Sequence, residues 1–267
     1  MDSKILCQKV TELLIAAPEN SFHGAYRFYG QPLVGFASAT DPLFLDLKKP
    51  EIVGHLLRTP REWLPDAATV ISFFLPFSEE VRRSNYPPGP ASEQWMHARF
   101  KGEEFANQVR KFVIQTLIDA GGRAVAPAIL PEFIADFTTC TSNWSERHAA
   151  YIAGLGTFSL NRGLITEQGM AGRFASVITS LFFDPSPRPY THPFQNCPST
   201  NDGKCGACIK RCPSGAIKPE GKDKYVCQQY LRVENPMKEF SVPFGYPYSA
   251  CGKCQTGVPC EHRIPAN

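Results

Sequence analysis

The chain has 267 residues, with 28 Lys+Arg against 25 Asp+Glu, a formal net charge of +3, and 43% hydrophobic and 20% charged residues. This composition indicates a soluble globular protein of one large or two smaller domains and excludes a disordered or collagen-like chain. The charge is too small to argue alone for a nucleic-acid or membrane partner.

From the N-terminus, Ile5, Leu6, Val10, Leu13 and Leu14 recur at helical spacing and predict an amphipathic helix over residues 2–17. Met1-Asp2-Ser3-Lys4 lacks an apolar signal core, and no apolar run reaches the about 18 residues of a membrane span, so the chain is expected in the cytoplasm without a membrane partner. Gln31–Ser38 and Ala68–Phe77 are apolar and partly β-branched and predict buried strands. Asn85-Tyr86-Pro87-Pro88-Gly89-Pro90 predicts a loop, and Ala91–Ala120 a long helix stopped by Gly121-Gly122. A strand is expected near Arg123–Ala128, a helix over Trp144–Gly154 and a strand over Arg173–Phe183, which gives a sheet with helices packed on it. Asp184–Phe194 carries Pro185, Pro187, Pro189 and Pro193 and is the linker candidate, dividing the chain into domains 1–188 and 189–267.

Eight of the ten cysteines lie beyond that linker: Cys197, Cys205, Cys208, Cys212, Cys227, Cys251, Cys254 and Cys260. In a reducing compartment such a cluster indicates metal or redox chemistry rather than a disulfide framework. Cys205-x2-Cys208-x3-Cys212-Pro213 matches the last three cysteines of the bacterial ferredoxin run, whose fourth cysteine ligates a second cluster. The first cysteine of that run would fall at Asp202, and Cys197 is the expected replacement. Ferredoxin-like swapping then assigns Cys197, Cys205, Cys208 and Cys260 to one [4Fe–4S] cluster and Cys212, Cys227, Cys251 and Cys254 to another, with none left over. Paired four-cysteine zinc sites are the rival, and the Cys-Pro-Ser-Gly-Ala-Ile tail argues against them. His192 and His262 flank the region and read as surface residues. Cys7 reads as a core residue. There is no strand–GxGxxG–helix context around Gly163, Gly169 and Gly172, no nicotinamide site and no serine triad.

The C-terminal module resembles that of epoxyqueuosine reductases and of reductive dehalogenases, and Cys227-Gln228-Gln229-Tyr230-Leu231-Arg232-Val233-Glu234 and Tyr248-Ser249-Ala250-Cys251-Gly252-Lys253-Cys254-Gln255 resemble the cluster segments of the reductases. Glu146-Arg147 with Ala153-Gly154-Leu155-Gly156, and Trp63 through Ile71, resemble the upstream part of the same family. The resemblance implies an α+β chain: a nitroreductase-like α/β domain that binds base-off cobalamin, followed by a small ferredoxin-like module with two [4Fe–4S] clusters. It implies an oxidoreductase that passes electrons from a low-potential donor through the clusters to the cobalamin and on to a substrate. The alternative is a non-catalytic corrinoid-binding or electron-transfer protein that serves a partner enzyme.

Three departures from the family stand out. The chain ends seven residues after Cys260, without the extension that helps the longer reductases bind tRNA, which leaves tRNA a possible but doubtful partner. Five residues rather than three separate Cys254 from Cys260, as in a distinct subfamily. Cys140 stands where the family has a catalytic Asp, and Asp136 lies four residues before it. Cys140 reads as a core residue, as a proton donor or nucleophile poised by Arg147 or His148, or as a cobalt ligand. By resemblance Glu146 and Arg147 orient substrate or corrinoid, with surface charges as the plain alternative. Gly154, Leu155 and Gly156 would lie against the corrin ring, or form a helix C-cap. Tyr230 and Tyr248 would line its pocket, or pack against a cluster loop. Arg162 and Arg173 would neutralise its phosphate, or stay in solvent.

Overall fold

Residues 1–244 and 249–266 are described by the computed structural model. A four-stranded antiparallel sheet organises them, made of β1 (Leu33–Ser38), β2 (Thr69–Pro76), β3 (Ala124–Val125) and β4 (Gly172–Thr179) in the order β1-β2-β4-β3. β2 and β4 pair along their whole length, from Thr69 opposite Thr179 to Pro76 opposite Gly172. All eight residues of β2 are buried. A strand covered on both faces carries a near-continuous apolar run instead of an alternating one, and Val70-Ile71-Ser72-Phe73-Phe74-Leu75, broken only by Ser72, is such a run.

Helices supply both covers. The first, Ser3–Ala16, starts where the Asp2 carboxylate accepts the Lys4 N–H at 3.0 Å, and it buries Leu6, Val10 and Leu14 along one face. The long helix Glu93–Asp119 starts where Ser92 Oγ accepts the Trp95 N–H at 3.1 Å. It ends where Gly121, at φ +86°, turns the chain so that the Gly122 N–H returns to the Leu117 carbonyl. Phe100, Phe105, Val109 and Val113 of this helix share one core with Phe73, Leu75 and Val177 of the sheet. On the opposite face the helix Glu146–Ile152 contributes Ala149 and Ile152, which pack with Trp144, Val70 and Ile178.

The expected elements are met in outline, with two differences. The strand expected near 123–128 is only Ala124–Val125, because Pro127 opens a turn of 3-10 helix. The proline-rich segment 184–194 is bound to the sheet rather than free. Ser186 N–H donates to the Phe36 carbonyl at 2.8 Å and Ser186 Oγ accepts the Phe36 N–H at 2.9 Å, which covers the outer edge of β1. Short hairpins at Ala135–Ser142 and Gly156–Thr166 lie outside the four-stranded sheet. Among the described residues no helix is long and apolar enough to cross a membrane.

Candidate functional site

The cysteine-rich segment shares its core with the rest of the chain. Leu160, Ile165 and Met170 pack against Cys197, Cys208, Ile217 and Val258, with Cys212, Cys254 and Cys260 at the margin. Cys260 lies within electrostatic range of Cys197, Cys208 and Cys205, and Cys251 within range of Cys254, Cys227 and Cys212. Each set draws a thiol from a distant part of the chain. Cys208 also feels Cys254, so the groups adjoin. Burial first, and the neighbouring thiols second, push Cys208 and Cys260 up to about 12. Burial pushes Cys251 to about 12 as well. So enclosed, these thiols would ionise only with a cation among them. Among the described residues no three His, Cys, Asp or Glu side chains converge closely enough to hold a single metal ion.

Local chemistry supports the thiolate form at Cys212. Burial alone would raise the Cys212 thiol, but hydrogen bonds from Ser214 and from the backbone of Ala216 and Ile217 outweigh it and hold the group below its ordinary value. That cradle gives the Cys-Pro-Ser-Gly-Ala-Ile tail its physical meaning. Cys197 Sγ accepts the Leu160 N–H at 3.4 Å. Asp202 turns instead to Lys204, at 3.0 Å. His192 and His262 are exposed, and Cys7 is half-buried against the main core.

The loop after β2 locks the two parts together. Asn85 is fully buried and donates to the Cys251 carbonyl at 3.0 Å and to Thr256 Oγ1 at 3.2 Å. Glu261 is 1% exposed and bonds Arg82 at 2.5 Å, the Tyr86 hydroxyl at 3.0 Å and the Gly257 N–H at 2.6 Å. Met170 and Ala171 donate backbone N–H groups to Cys260 and Glu261 carbonyls.

Cys140 occupies the tip of the hairpin Ala135–Ser142, half-buried and in the left-handed region at φ +53°. It is not a core residue. Its thiol donates to Gln228 Oε1 at 2.7 Å, while Gln228 donates back to the Phe137 carbonyl. Lys224 reaches the Thr139 carbonyl at 2.8 Å and Arg232 stacks over Phe137 at 4.0 Å. Burial pushes the Cys140 thiol up, opposed by Lys224; neither Arg147 nor His148 is among the groups that act on it. Asp136 is committed to its own turn, accepting from the Thr138 N–H at 2.8 Å and from Thr139 Oγ1 at 2.6 Å.

Glu146 is not a free surface charge. It accepts from Arg110 at 3.2 Å and from Ser176 Oγ at 2.5 Å, and Ser176 in turn accepts the Trp144 indole N–H at 2.9 Å. Burial pushes the Glu146 carboxyl up, against the pull of Arg110 and Ser176. Arg110, 1% exposed, also bonds Glu103 at 3.1 Å, and Glu103 holds Arg173, so Arg173 is tied down rather than solvated. Glu103 and Arg110 are seven residues apart on the buried face of the long helix, a signal the sequence reading passed over. Burial alone would raise Glu103, but Arg173, Arg110 and Arg99 hold it far below the carboxylate range. A lowered folded pKa gives stability that is complete above the unfolded value of about 4.3 and lost as pH falls below it. Thermal melts from pH 6 to pH 3 are therefore expected to fall more steeply for the wild type than for Glu103→Gln; parallel curves would refute this role.

Arg147 is exposed and donates to the Arg162 carbonyl. The protein around it nevertheless pushes its guanidinium down, with Arg173 adding to the effect and Cys254 and Cys227 opposing it. Lys222 faces the same two thiols and hydrogen-bonds Cys227; burial would lower its ammonium, but the thiols raise it. His148 shares a 2.7 Å hydrogen bond with Ser145, and burial, then Arg147 and Arg162, lower it to about 3, so it is neutral. Gly154, Leu155 and Gly156, expected against a corrin ring, pack against the chain itself. A Cβ at Gly154 would meet the Pro187 carbonyl at 2.4 Å, one at Gly156 the Ile165 carbonyl at 2.1 Å, and Leu155 fills the space over Gly35. Tyr230 is half-buried; burial, then Cys251 and Cys212, raise its hydroxyl. Tyr248 lies outside the described residues.

No family model matches the chain. An epoxyqueuosine reductase of Francisella cf. novicida (strain Fx1) is 36% identical over 126 residues, 45% of this chain and 33% of that protein. The chain is similar to epoxyqueuosine reductase. It spans about a third of that relative's length. The solved epoxyqueuosine reductase of Streptococcus thermophilus shares the fold at a TM-score of 0.57 and 15% identity, covering 100% of this chain and 69% of that one. A reductive dehalogenase described as B12-dependent does so at 0.55 and 17%, covering 88% of this chain and 30% of that one. The mixed α/β architecture is thus that of epoxyqueuosine reductases and reductive dehalogenases.

Proposed function

We propose that the chain is an iron–sulfur oxidoreductase of the epoxyqueuosine-reductase kind, with two [4Fe–4S] clusters in residues 189–267 beside a substrate-binding part formed by residues 1–188. The observation that carries this reading is the pairing of distant thiols, Cys260 with Cys197, Cys205 and Cys208, and Cys212 with Cys227, Cys251 and Cys254. The donor set fits: eight soft thiolates, apolar walls from Leu160, Ile165 and Met170, and N–H donors aimed at Cys197 and Cys212. Bound there, the clusters supply single low-potential electrons.

The residues that face the second group define where those electrons leave. Arg147 and Lys222 stand beside Cys227 and Cys254, and Glu146 is anchored by Arg110 one position before Arg147. Glu146 and Arg147 orient what is reduced, and Cys140 sits across the Gln228 contact as the nearest proton-bearing thiol of the hairpin. Cobalamin is the expected second cofactor by similarity. Of the residues expected to hold it, Gly154, Leu155 and Gly156 face protein, so its support would come from Arg147, Arg162 and Tyr230.

A second reading, an electron carrier that serves a partner enzyme, is favoured by Asp136 being tied into its own turn. Two measurements test these readings. Anaerobically purified protein is expected to hold about eight irons and eight sulfides per chain; mostly zinc, or about four irons, refutes the two-cluster assignment. Titration with cob(II)alamin is expected to give a base-off spectrum. Full iron without any corrinoid binding leaves the electron-carrier reading.

A further inference from the structure

Two cations beside the second cysteine group have only neutral partners. Arg211 directly precedes Cys212, and Lys253 lies between Cys251 and Cys254. Lys253 is 3% exposed. Its ammonium donates to the Asn85 carbonyl at 3.1 Å and the Pro87 carbonyl at 2.8 Å. Arg211 donates to the carbonyls of Lys253 at 3.0 Å, Tyr86 at 2.9 Å and Asn85 at 3.0 Å, and to Thr256 Oγ1 at 3.5 Å. Among the described residues no carboxylate comes within 4.0 Å of either cation. Glu261, the buried carboxylate of this interface, is committed to Arg82, Tyr86 and Gly257. A buried ammonium held only by carbonyls is a costly arrangement unless an anion lies near.

We infer that Arg211 and Lys253 are the counter-ions of the cluster held by Cys212, Cys227, Cys251 and Cys254, positioning residues that raise its reduction potential and bind the Asn85–Pro87 loop over it. The inference rests on the two-cluster reading. Four thiolates around an iron–sulfide core carry net negative charge, and one added electron deepens it. Fixed positive charge in a low-dielectric interior stabilises the reduced form more than the oxidised one. The electron comes from a strong one-electron donor. Among the described residues no cation flanking the first group is comparably buried: Lys204, Lys210 and Arg263 are exposed, and Lys204 is bound to Asp202. The two clusters are thereby made unequal, with the second the easier to reduce.

The test is a redox titration of the full-length protein, read by electron paramagnetic resonance, after iron and sulfide have been counted. Lys253→Met is expected to keep the wild-type iron and to lower the midpoint of one cluster by at least a tenfold change in its reduction equilibrium, 59 mV for a one-electron couple, with the other unmoved. Lys253→Arg is expected to restore most of the shift. Where Lys253→Met loses iron, Arg211→Gln carries the same test, since that side chain is half-exposed. Full iron with both midpoints unchanged in these variants overturns the inference and leaves the two-cluster reading standing. A wild type without iron overturns both.

Discussion

Cys197→Ser is expected to lower the iron content from about eight to between about four and seven atoms per chain, leaving one cluster intact and the other as a three-iron form or lost. Cys197 is 6% exposed, lies within range of Cys208 and Cys260, and receives the Leu160 N–H, so its sulfur points into the first group. A serine hydroxyl keeps the shape and the hydrogen bond but not the thiolate, so the loss is specific to ligation. Asp202, which stands at the position the ferredoxin spacing would fill, is exposed and turned to Lys204. Asp202→Ala should therefore keep full iron. Iron analysis with low-temperature paramagnetic resonance decides the matter; full iron in Cys197→Ser together with loss in Asp202→Ala would reverse the assignment.

Gly252→Ala is expected to be the most damaging single methyl added to the cysteine-rich region. Gly252 has φ +65°, and a Cβ there would lie 2.0 Å from Cζ2 of Trp95. Trp95 cannot yield easily: it is 3% exposed and packed edge-on against Phe77 at 4.8 Å between ring centroids. The left-handed backbone costs about 1 kcal/mol and the forced repacking about 1–3 kcal/mol more. The sum corresponds to a fall in Tm of about 10 °C for a chain of this size. Gly203→Ala is the control. It has φ +73° with nothing within 4 Å, so only the backbone cost applies. Because Cys251 and Cys254 flank Gly252, chelator challenge should strip iron from the second cluster first in Gly252→Ala. Similar melts for the two variants would show that the indole contact carries no weight.

The elements that could be read from the sequence are those whose burial imposes a period or a continuous run. β2 and the long helix declare themselves because one is buried throughout and mostly apolar and the other carries a stripe behind a Ser92 cap. The hairpins at Ala135–Ser142 and Gly156–Thr166 escaped, since strands of two or three residues have no period to detect and their register follows from what they pack against. Within the candidate site the thiols were grouped from spacing alone, because a cluster of the proposed kind would fix the distances between its ligands. Their setting was not legible. Nothing in Cys-Gly-Lys-Cys says that Lys253 is buried under the Asn85 loop, and nothing in a lone Glu-Arg pair says that Glu146 is held by Arg110 from another helix. The Gly154–Gly156 stretch was read toward a ligand, whereas the proline-rich segment that passes over Gly154 takes that space.

The closure of β1 by Ser186 bears on how the chain comes into being. β1 and β2 leave a growing polypeptide early, but the partner on the far side of β2 is Gly172–Thr179, about a hundred residues later, and the strap over β1 follows only at Ser186. For that interval the nascent chain carries an eight-residue apolar strand with one unsatisfied ladder beside a bare sheet edge, the arrangement most prone to pairing with a neighbouring copy. Truncation before residue 186 should thus yield inclusion bodies rather than a smaller folded unit, and expression yield should depend on chaperone supply during synthesis.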